Sequence, residues 1–245
     1  MSTRNNNQLV IKELAQAYYK DNKRQNKVLI LAIAMSVLLL YSAFSIAYGK
    51  IRSDYLIDIR GMGTVATVSL ENGSEVQYEQ MKSLPYIIDT GIKKTVGSAT
   101  FQDYWEGQLT YLDDSAYEKM MMPAYTDIIG SYPQKADEIM LSASSLQQME
   151  IDHPVIGMEI ELRTILSEGA EETDLFSLSG YYTDYVDFSV TEPEAYVSKA
   201  FLDQQEISAF PADKIMAVTG SLQDERGIET KLYSDLTMEY AAQQV

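Results

Sequence analysis

The chain has 245 residues, with 19 Lys and Arg against 36 Asp and Glu, one His and no Cys, for a formal net charge of −17. This acidic balance excludes the basic footprint of a nucleic-acid-binding protein. The lack of cysteine excludes thiol nucleophiles and Cys-ligated zinc, so an ordinary apolar core has to stabilise the fold.

The first predicted element is an amphipathic helix within residues 1–27, in the stretch "LVIKELAQAYYK". Its apolar arc consists of Val10, Ile11, Leu14, Ala17 and Tyr18, because these positions fall within about 120° at 100° per residue. A basic amphipathic helix beside a membrane span lies in the headgroup layer, so contact with membrane lipid is expected. Docking of a cytoplasmic partner is the alternative, and one helix can serve both purposes.

The second element is an uncharged run of 22 residues, Val28 to Gly49. At about 1.5 Å per residue it reaches roughly 33 Å, which matches a hydrocarbon core of about 30 Å. A signal peptide has a shorter apolar region after a short basic start, whereas 27 mostly polar residues precede this run. The pattern therefore favours a retained transmembrane helix at 28–49 over a cleaved signal or a buried soluble helix.

The charges around the span predict its orientation. Residues 1–52 contain eight basic and two acidic side chains, which leaves 11 basic and 34 acidic for residues 53–245. Because basic residues concentrate on the cytoplasmic side, the N-terminus is expected inside and residues 50–245 outside the cell membrane, in a single-pass arrangement. The acidity of the outer part suits solubility. The more specific alternative is that it attracts a cationic ligand such as a basic peptide.

The outer region alternates short strand-like and helix-like stretches without strict order, which indicates an α+β domain. A flexible linker, "YGKIRSDY", is predicted just outside the membrane. A helix from Ser74 is supported by the capping-box spacing to Gln77. The polar stretch "LSEGAEETD" predicts a hairpin between two long strands. The other predicted strands are 64–71, 86–101, 107–112, 138–142, 195–198 and 214–220, and the other helical stretches are 115–122, 144–149, 199–207 and 227–244.

Candidate chemistry in the outer region is sparse. "GMGTVA" (61–66) matches a dinucleotide fingerprint, but strand-forming residues follow where a helix is needed, so a turn is predicted. His153 is expected in a loop, since one imidazole without cysteine builds no typical zinc site. The acidic run "YYTDYVDFSVTEPE" lacks the spacing of a calcium loop. No catalytic, cofactor or metal residue is assigned, and no enzyme is expected.

Methionine and tyrosine offer two further patterns. Met120, Met121 and Met122 are consecutive and point in different directions on a helix, which favours core filling over copper(I) binding. Tyr181, Tyr182 and Tyr185 cluster in one strand region and predict an amphipathic sheet surface. The alternative is a surface that contacts a partner protein, where tyrosine is enriched.

Four stretches resemble the N-terminal part of FtsX-like, MacB-type ABC transporter permeases. They are "AYYKDNKRQNKVLILAIAMSVLLL", "PQKADEIMLSASSLQQM", "FSLSGYYTD" and "AYVSKAFLDQ". The first is similar to the family's basic elbow and first transmembrane helix, the second to its "P-x-x-x-x-E-I-x-L-s" segment, and the last two to strands of its extracytoplasmic core domain. The resemblance implies a dimeric permease that works with a cytoplasmic ATPase and transmits ATP-driven motion to the outer domain.

The sequence departs from that family after the first helix. No other stretch beyond Gly49 approaches 18 apolar residues, so the family's three C-terminal helices are not found here. We therefore expect a fragment, a split permease half or a stand-alone relative. The alternative to a permease component is a single-pass surface protein whose outer domain binds or senses a ligand without an ATPase.

A permease role requires contact with further helices or with a second copy. In the span, Ala43 and Ala47 form one small-xxx-small pair, and Ser45 and Gly49 form another. Such pairs let helix backbones approach closely in lipid, so these four residues are the candidates for helix packing.

Overall fold

The computed structural model describes residues 7–102, 105–166, 169, 171–185, 192–220 and 225–242. By its internal contacts the chain divides into two compact units, one ending at Tyr55 and the other beginning at Leu56. The acidic run considered for calcium lies partly outside the described residues, as does part of the predicted hairpin loop.

Two helices, α1 (Asn7–Asp21) and α2 (Lys23–Met62), make up the N-terminal region. Within the part of the chain that the structure describes, α2 is the one helix long and apolar enough to cross a membrane, and its most apolar window is wholly exposed. The predicted linker "YGKIRSDY" is wrong, because α2 continues through it. Lys50 and Asp54 form an i,i+4 ion pair at 3.0 Å, which favours helix there.

The second unit combines a sheet with short helices, which confirms the predicted α+β class. Its strands are β1 (Val68–Gly73), β2 (Ile87–Phe101), β3 (Trp105–Leu112), β4 (Thr126–Gly130), β5 (Glu138–Ser142), β6 (Glu159–Leu166), β7 (Glu171–Thr183), β8 (Glu194–Val197) and β9 (Ala212–Thr219). Its helices are α3 (Glu75–Ser83), α4 (Ala143–Gln148), α5 (Lys199–Gln204) and α6 (Glu225–Ala242).

The strands follow the order β1-β9-β2-β3-β8-β5-β7-β4, and β6 pairs with both β2 and β7. Through β6, six strands form a closed circuit: β2, β3, β8, β5, β7 and β6. Two pairs in this circuit, β3 with β8 and β5 with β7, are parallel. Closure leaves fewer exposed strand edges, and unpaired strand edges favour aggregation.

Several predicted elements are confirmed. Ser74 and Gln77 form the expected capping box at the start of α3. The antiparallel pair of β6 and β7 is the predicted hairpin, although its second strand begins at Glu171, inside the predicted loop. β1 begins at Val68, four residues later than predicted, because a turn follows Gly63, whose φ is +72°.

Two elements differ from the sequence prediction. β4 was not predicted; it is a short edge strand with a bulge and a left-handed Asp127 (φ +49°), so it lacks the alternation that identifies a strand. The stretch 115–122 is predicted as a helical turn or two, and the structure has irregular helix over segment 116–124. It forms a π-helical turn, Ala116–Met121, followed by a 3-10 turn that ends at Ala124.

Apolar side chains collect in two clusters. The first, which we call the aliphatic core, contains the inward residues of the strands together with residues of α3 to α6. The other, which we call the second cluster, lies under segment 116–124. The strand period of two assigns alternate residues to each: Ala195 and Val197 of β8 belong to the aliphatic core, and Tyr196 between them belongs to the second cluster.

The sheet contains an internal repeat, and both of its copies contribute residues to both clusters. Residues 138–151 and 194–207 align without gaps, and six of the 14 positions are identical. Each copy is a strand, a serine N-cap and a short helix. The copies are neighbours, since β5 and β8 pair antiparallel with Met140 opposite Tyr196, which are equivalent positions. The repeat therefore has a local twofold relation centred on this pair.

Candidate functional site: a tyrosine-lined acidic cavity

Five buried tyrosines form the centre of the second cluster: Tyr117, Tyr125, Tyr132, Tyr182 and Tyr196. The ring of Tyr182 stacks on Tyr125, with centroids 4.1 Å apart, and on Tyr196 at 5.7 Å. Tyr132 packs against Tyr117 at 4.5 Å and against Tyr196 at 6.2 Å. Aromatic pairs at these distances stabilise a fixed arrangement beyond their area burial.

The hydroxyl of Tyr132 joins two strands. It accepts a hydrogen bond from the Leu112 N–H at 2.9 Å and lies 3.0 Å from the Leu112 carbonyl oxygen and 3.1 Å from that of Val197. It donates to one of these carbonyls at a time, because a hydroxyl has one proton. Burial raises its pKa well above the usual range, so it remains a donor.

A second hydroxyl chain runs towards the surface. Tyr196 donates to a Glu194 carboxylate oxygen at 3.1 Å, and the hydroxyls of Tyr125 and Tyr196 are 2.6 Å apart. Tyr125 is therefore the donor to Tyr196, and the chain ends on a carboxylate. Burial raises the pKa of both phenols, which excludes either as a base near neutral pH.

A cavity of about 160 Å³ opens at the end of this chain. Its lining belongs entirely to the second unit. It comes from the end of α2 and the turn after it, β2, segment 116–124 and the residue after it, β7 and the residue after it, and β8 with the residues before it. The lining residues are Gly61, Met62, Gly63, Lys93, Met121, Tyr125, Tyr182, Asp184, Glu192, Glu194 and Tyr196. Three of them carry carboxylates and one carries an ammonium group, so the cavity is acidic.

The charged groups of the cavity differ in how they are satisfied. Lys93 and Glu194 form an ion pair, with side chains 20% and 15% exposed. Glu192 accepts a hydrogen bond from the Gln108 side-chain amide at 2.6 Å. Asp184 accepts one from the Ser144 hydroxyl at 3.4 Å, and among the described residues no ion pair to it is found. Burial, opposed by the Ser144 hydrogen bond, raises the pKa of Asp184 to about 6.

The three tyrosines that were predicted to share one strand surface, Tyr181, Tyr182 and Tyr185, have different environments in the structure. Tyr182 is buried in the cluster, so the predicted sheet-surface or partner-contact role is wrong for this residue. Tyr181 is half-buried against the aliphatic core, and Tyr185 is 50% exposed. The Arg60 guanidinium lies over the Tyr185 ring, 5.1 Å from its centroid. The reason is the strand period: Tyr181 and Tyr182 point to opposite faces of β7.

The core-filling prediction is confirmed for Met120 and Met121 and wrong for Met122, and the loop prediction for His153 is confirmed. Met120 and Met121 are buried in the second cluster, whereas Met122 is 39% exposed. His153 is exposed in a loop. No group of three potential metal ligands occurs in the described part of the chain.

The other predicted site residues lie outside the cavity. Ala43, Ser45, Ala47 and Gly49 are exposed on α2, and Val10, Ile11, Leu14, Ala17 and Tyr18 are exposed on α1. Their predicted roles in helix packing and in membrane-surface or partner docking stay predictions. The sequence analysis missed Tyr125 and Tyr196, and it considered the acidic run that contains Asp184 and Glu194 for calcium and not for this cavity. The internal repeat was the available signal for two of these, because it places Glu194 and Tyr196 at defined positions of a recurring strand.

Two solved structures are similar to this chain. The periplasmic region of MacB from Actinobacillus actinomycetemcomitans has a TM-score of 0.46 and 10% identity, over 70% of this chain and 76% of that one. The extracellular domain of the noncanonic ABC-type transporter YknZ from Gram-positive bacteria has a TM-score of 0.40 and 8% identity, over 63% of this chain and 76% of that one. Neither similarity assigns an activity to this chain. Neither a family model nor a curated protein sequence matches it.

Proposed function

We propose that the chain is a component, or the N-terminal part, of an FtsX/MacB-like ABC transporter permease that transmits ATP-driven motion to an outer domain for export or mechanotransmission. The observation that carries the proposal is helix α2, whose exposed apolar window suits a membrane span. An apolar surface of this size is not stable in water and needs lipid or other helices around it.

The arrangement of the resembling stretches adds support. Three of the four lie on β5, β7 and β8, which are consecutive neighbours in the sheet. They are far apart in the sequence but form one continuous region of the domain. Because the similarity falls on strands that pair with one another, it describes one structural region rather than scattered matches.

The orientation belongs to the same proposal. The N-terminus is cytoplasmic and the second unit is extracellular, because residues 1–52 carry most of the basic charge near the span. Protease added to intact cells should remove epitopes in the second unit and spare an N-terminal tag. Protection of the second unit together with loss of the tag would reverse the orientation.

The partners in this proposal are a cytoplasmic ABC ATPase and further permease helices or a second copy of the chain. The test is ATP hydrolysis by the tagged full chain purified in mild detergent from its native membranes. We expect vanadate-sensitive hydrolysis to purify with the wild type and to be lost when Ala43→Ile and Ala47→Ile are combined. Ala34→Ile is the matched control, because it adds the same volume about 180° around α2 from Ala43.

The second candidate is a single-pass surface protein that binds or senses a ligand without an ATPase. The observation that favours it is the acidic cavity, which is complete within the second unit. Wild-type chain that purifies as a single species without ATP hydrolysis would favour this candidate and contradict the first. Hydrolysis that survives both α2 substitutions would remove Ala43 and Ala47 from the interface.

A further inference from the structure

The Asp184 carboxylate lines the cavity without a cationic partner among the described residues. The nearby positive groups are engaged elsewhere: Lys93 pairs with Glu194, and Arg60 stacks on Tyr185 without lining the cavity. A partly buried carboxylate is costly unless a charge or strong donors compensate it. Among the described residues, Asp184 receives the long hydrogen bond from Ser144 and one from its own backbone N–H, and no cation compensates its charge.

We propose that this cavity binds a primary ammonium group on a short alkyl chain, with Asp184 as the counter-ion. Charge favours a cation, because three carboxylates and one ammonium line the space. The donor pattern favours N–H groups, because Asp184, Glu192 and Glu194 all present acceptor oxygens. The alkyl chain would lie against Met121, whose side chain also lines the cavity.

The tyrosines exclude a different kind of cation site. A quaternary ammonium ion binds in a cage of open aromatic faces. Here Tyr182 and Tyr196 are 2% and 1% exposed and stack on one another, so they offer almost no free ring face. The cavity is therefore expected to prefer a hydrogen-bonding ammonium group over a quaternary one.

The volume limits the size of the ligand. About 160 Å³ corresponds to roughly five water-sized groups at about 30 Å³ each. n-Butylammonium has a matching number of heavy atoms, whereas a peptide can place only one side chain inside. The shared chemistry is an alkylammonium group, which a free amine or a lysine side chain can supply. The inference is independent of the proposed transporter role, since the cavity lies within one unit.

The test uses the full chain in lipid nanodiscs at pH 8, where Asp184 is ionised. n-Butylammonium is titrated and its binding followed by saturation-transfer NMR, with tetramethylammonium as the comparison ion. We expect saturable binding of n-butylammonium and at least about tenfold weaker binding of tetramethylammonium. Asp184→Asn should weaken n-butylammonium binding by about tenfold or more, as expected for loss of a charge-assisted hydrogen bond.

Asp152→Asn is the matched control, because it removes one carboxylate from an exposed loop position outside the cavity. It should bind n-butylammonium as the wild type does. Equal binding by wild type and Asp184→Asn, or equal binding of the two ions, would overturn the proposal. N-acetyl-lysine methylamide then separates the two sources: it binds where lysine side chains are accepted and fails where only a free amine enters. Each variant's fold is checked by the fluorescence of Trp105, the single tryptophan, which is buried in the aliphatic core.

Discussion

The two apolar clusters of the second unit are stabilised in different ways. In the aliphatic core, residues such as Leu109, Ile139 and Leu178 are completely buried and contribute through area and packing. In the second cluster, large rings are equally buried, but their hydroxyls need hydrogen bonds at defined positions. The comparison shows that side-chain volume and packing stabilise one face of the sheet, whereas the geometry of buried hydrogen bonds also stabilises the other. The second face borders the acidic cavity.

The largest expected effect comes from the aliphatic core. Phe176 is 2% exposed and packs against Phe201, with centroids 5.9 Å apart. Phe176→Ala should lower the free energy of unfolding by about 3–5 kcal/mol, because it loses apolar burial and leaves a void. Denaturant unfolding of the detergent-solubilised chain, followed by Trp105 fluorescence, measures it. A loss below about 1 kcal/mol would mean that this core collapses around the void or is loosely packed.

The next effect tests the second cluster, in which buried hydroxyls need hydrogen bonds at defined positions. Tyr132→Phe keeps the ring and removes the hydroxyl that joins Leu112 to Val197. It should destabilise the protein by about 1–3 kcal/mol, because buried backbone groups lose a partner. Tyr117→Phe is the matched control. Its ring packs in the same cluster, and no hydrogen bond of its hydroxyl occurs within the described residues. Equal effects of the two variants would show that ring packing alone stabilises the cluster.

The internal repeat supplies a comparison between equivalent residues. Ser142 and Ser198 are the N-caps of α4 and α5, and their hydroxyls accept from the N–H groups of Ser145 and Phe201. Each change to alanine should cost about 1 kcal/mol. Ser198→Ala should cost up to about 1 kcal/mol more, because its hydroxyl also donates to the Lys135 carbonyl at 2.7 Å, whereas the Ser142 hydroxyl donates to the Ser145 hydroxyl at 3.0 Å, which can rotate towards another partner. Thermal unfolding of both single variants measures the difference, and a larger loss at Ser142 would contradict this reasoning.

Much of the fold could be predicted from local patterns. The capping box at Ser74 and the alternation along β6 depend on neighbours in sequence, and the sequence therefore predicted both elements. The closure through β6 and the parallel pairs depend on contacts between distant segments, which local periodicity does not encode. The irregular helix at 116–124 and the bulged β4 have no regular pattern to detect.

The candidate site was less accessible for the same reason. Its carboxylates lie within one acidic run, 181–194, but other lining residues such as Lys93 and Met121 come from distant segments, and Asp184 follows a run that reads as a tyrosine-rich surface. Only the fold shows that Tyr182 is inside and Asp184 beside it. The equivalence of Glu138 with Glu194 was visible in the sequence, because the repeat aligns without gaps. The repeat was not predicted, and it marks a recurring strand but not the cavity beside it.

The smallest effect concerns the Asp184 carboxylate at the edge of the second cluster. Burial raises the pKa of Asp184 to about 6, against about 4 in an unfolded chain. The folded protein therefore holds this proton more tightly. The resulting stabilisation is fully present below about pH 4 and is lost as the pH rises through about 6. Asp184→Asn keeps the neutral state at every pH, so it should be more stable than the wild type at pH 7.5.

The gain should be on the order of 1 kcal/mol, since partial exposure of the carboxylate screens part of the effect that raises its pKa. It should shrink between pH 6 and pH 4 and vanish below, as measured by denaturant unfolding of wild type and variant across that range. Asp152→Asn, which removes one carboxylate from an exposed loop, is the matched control for the loss of one charge. A variant less stable than the wild type at pH 7.5 would mean that a cation already compensates Asp184 in the folded protein. Because n-butylammonium would supply that compensation, adding it should raise the stability of the wild type and leave Asp184→Asn unchanged.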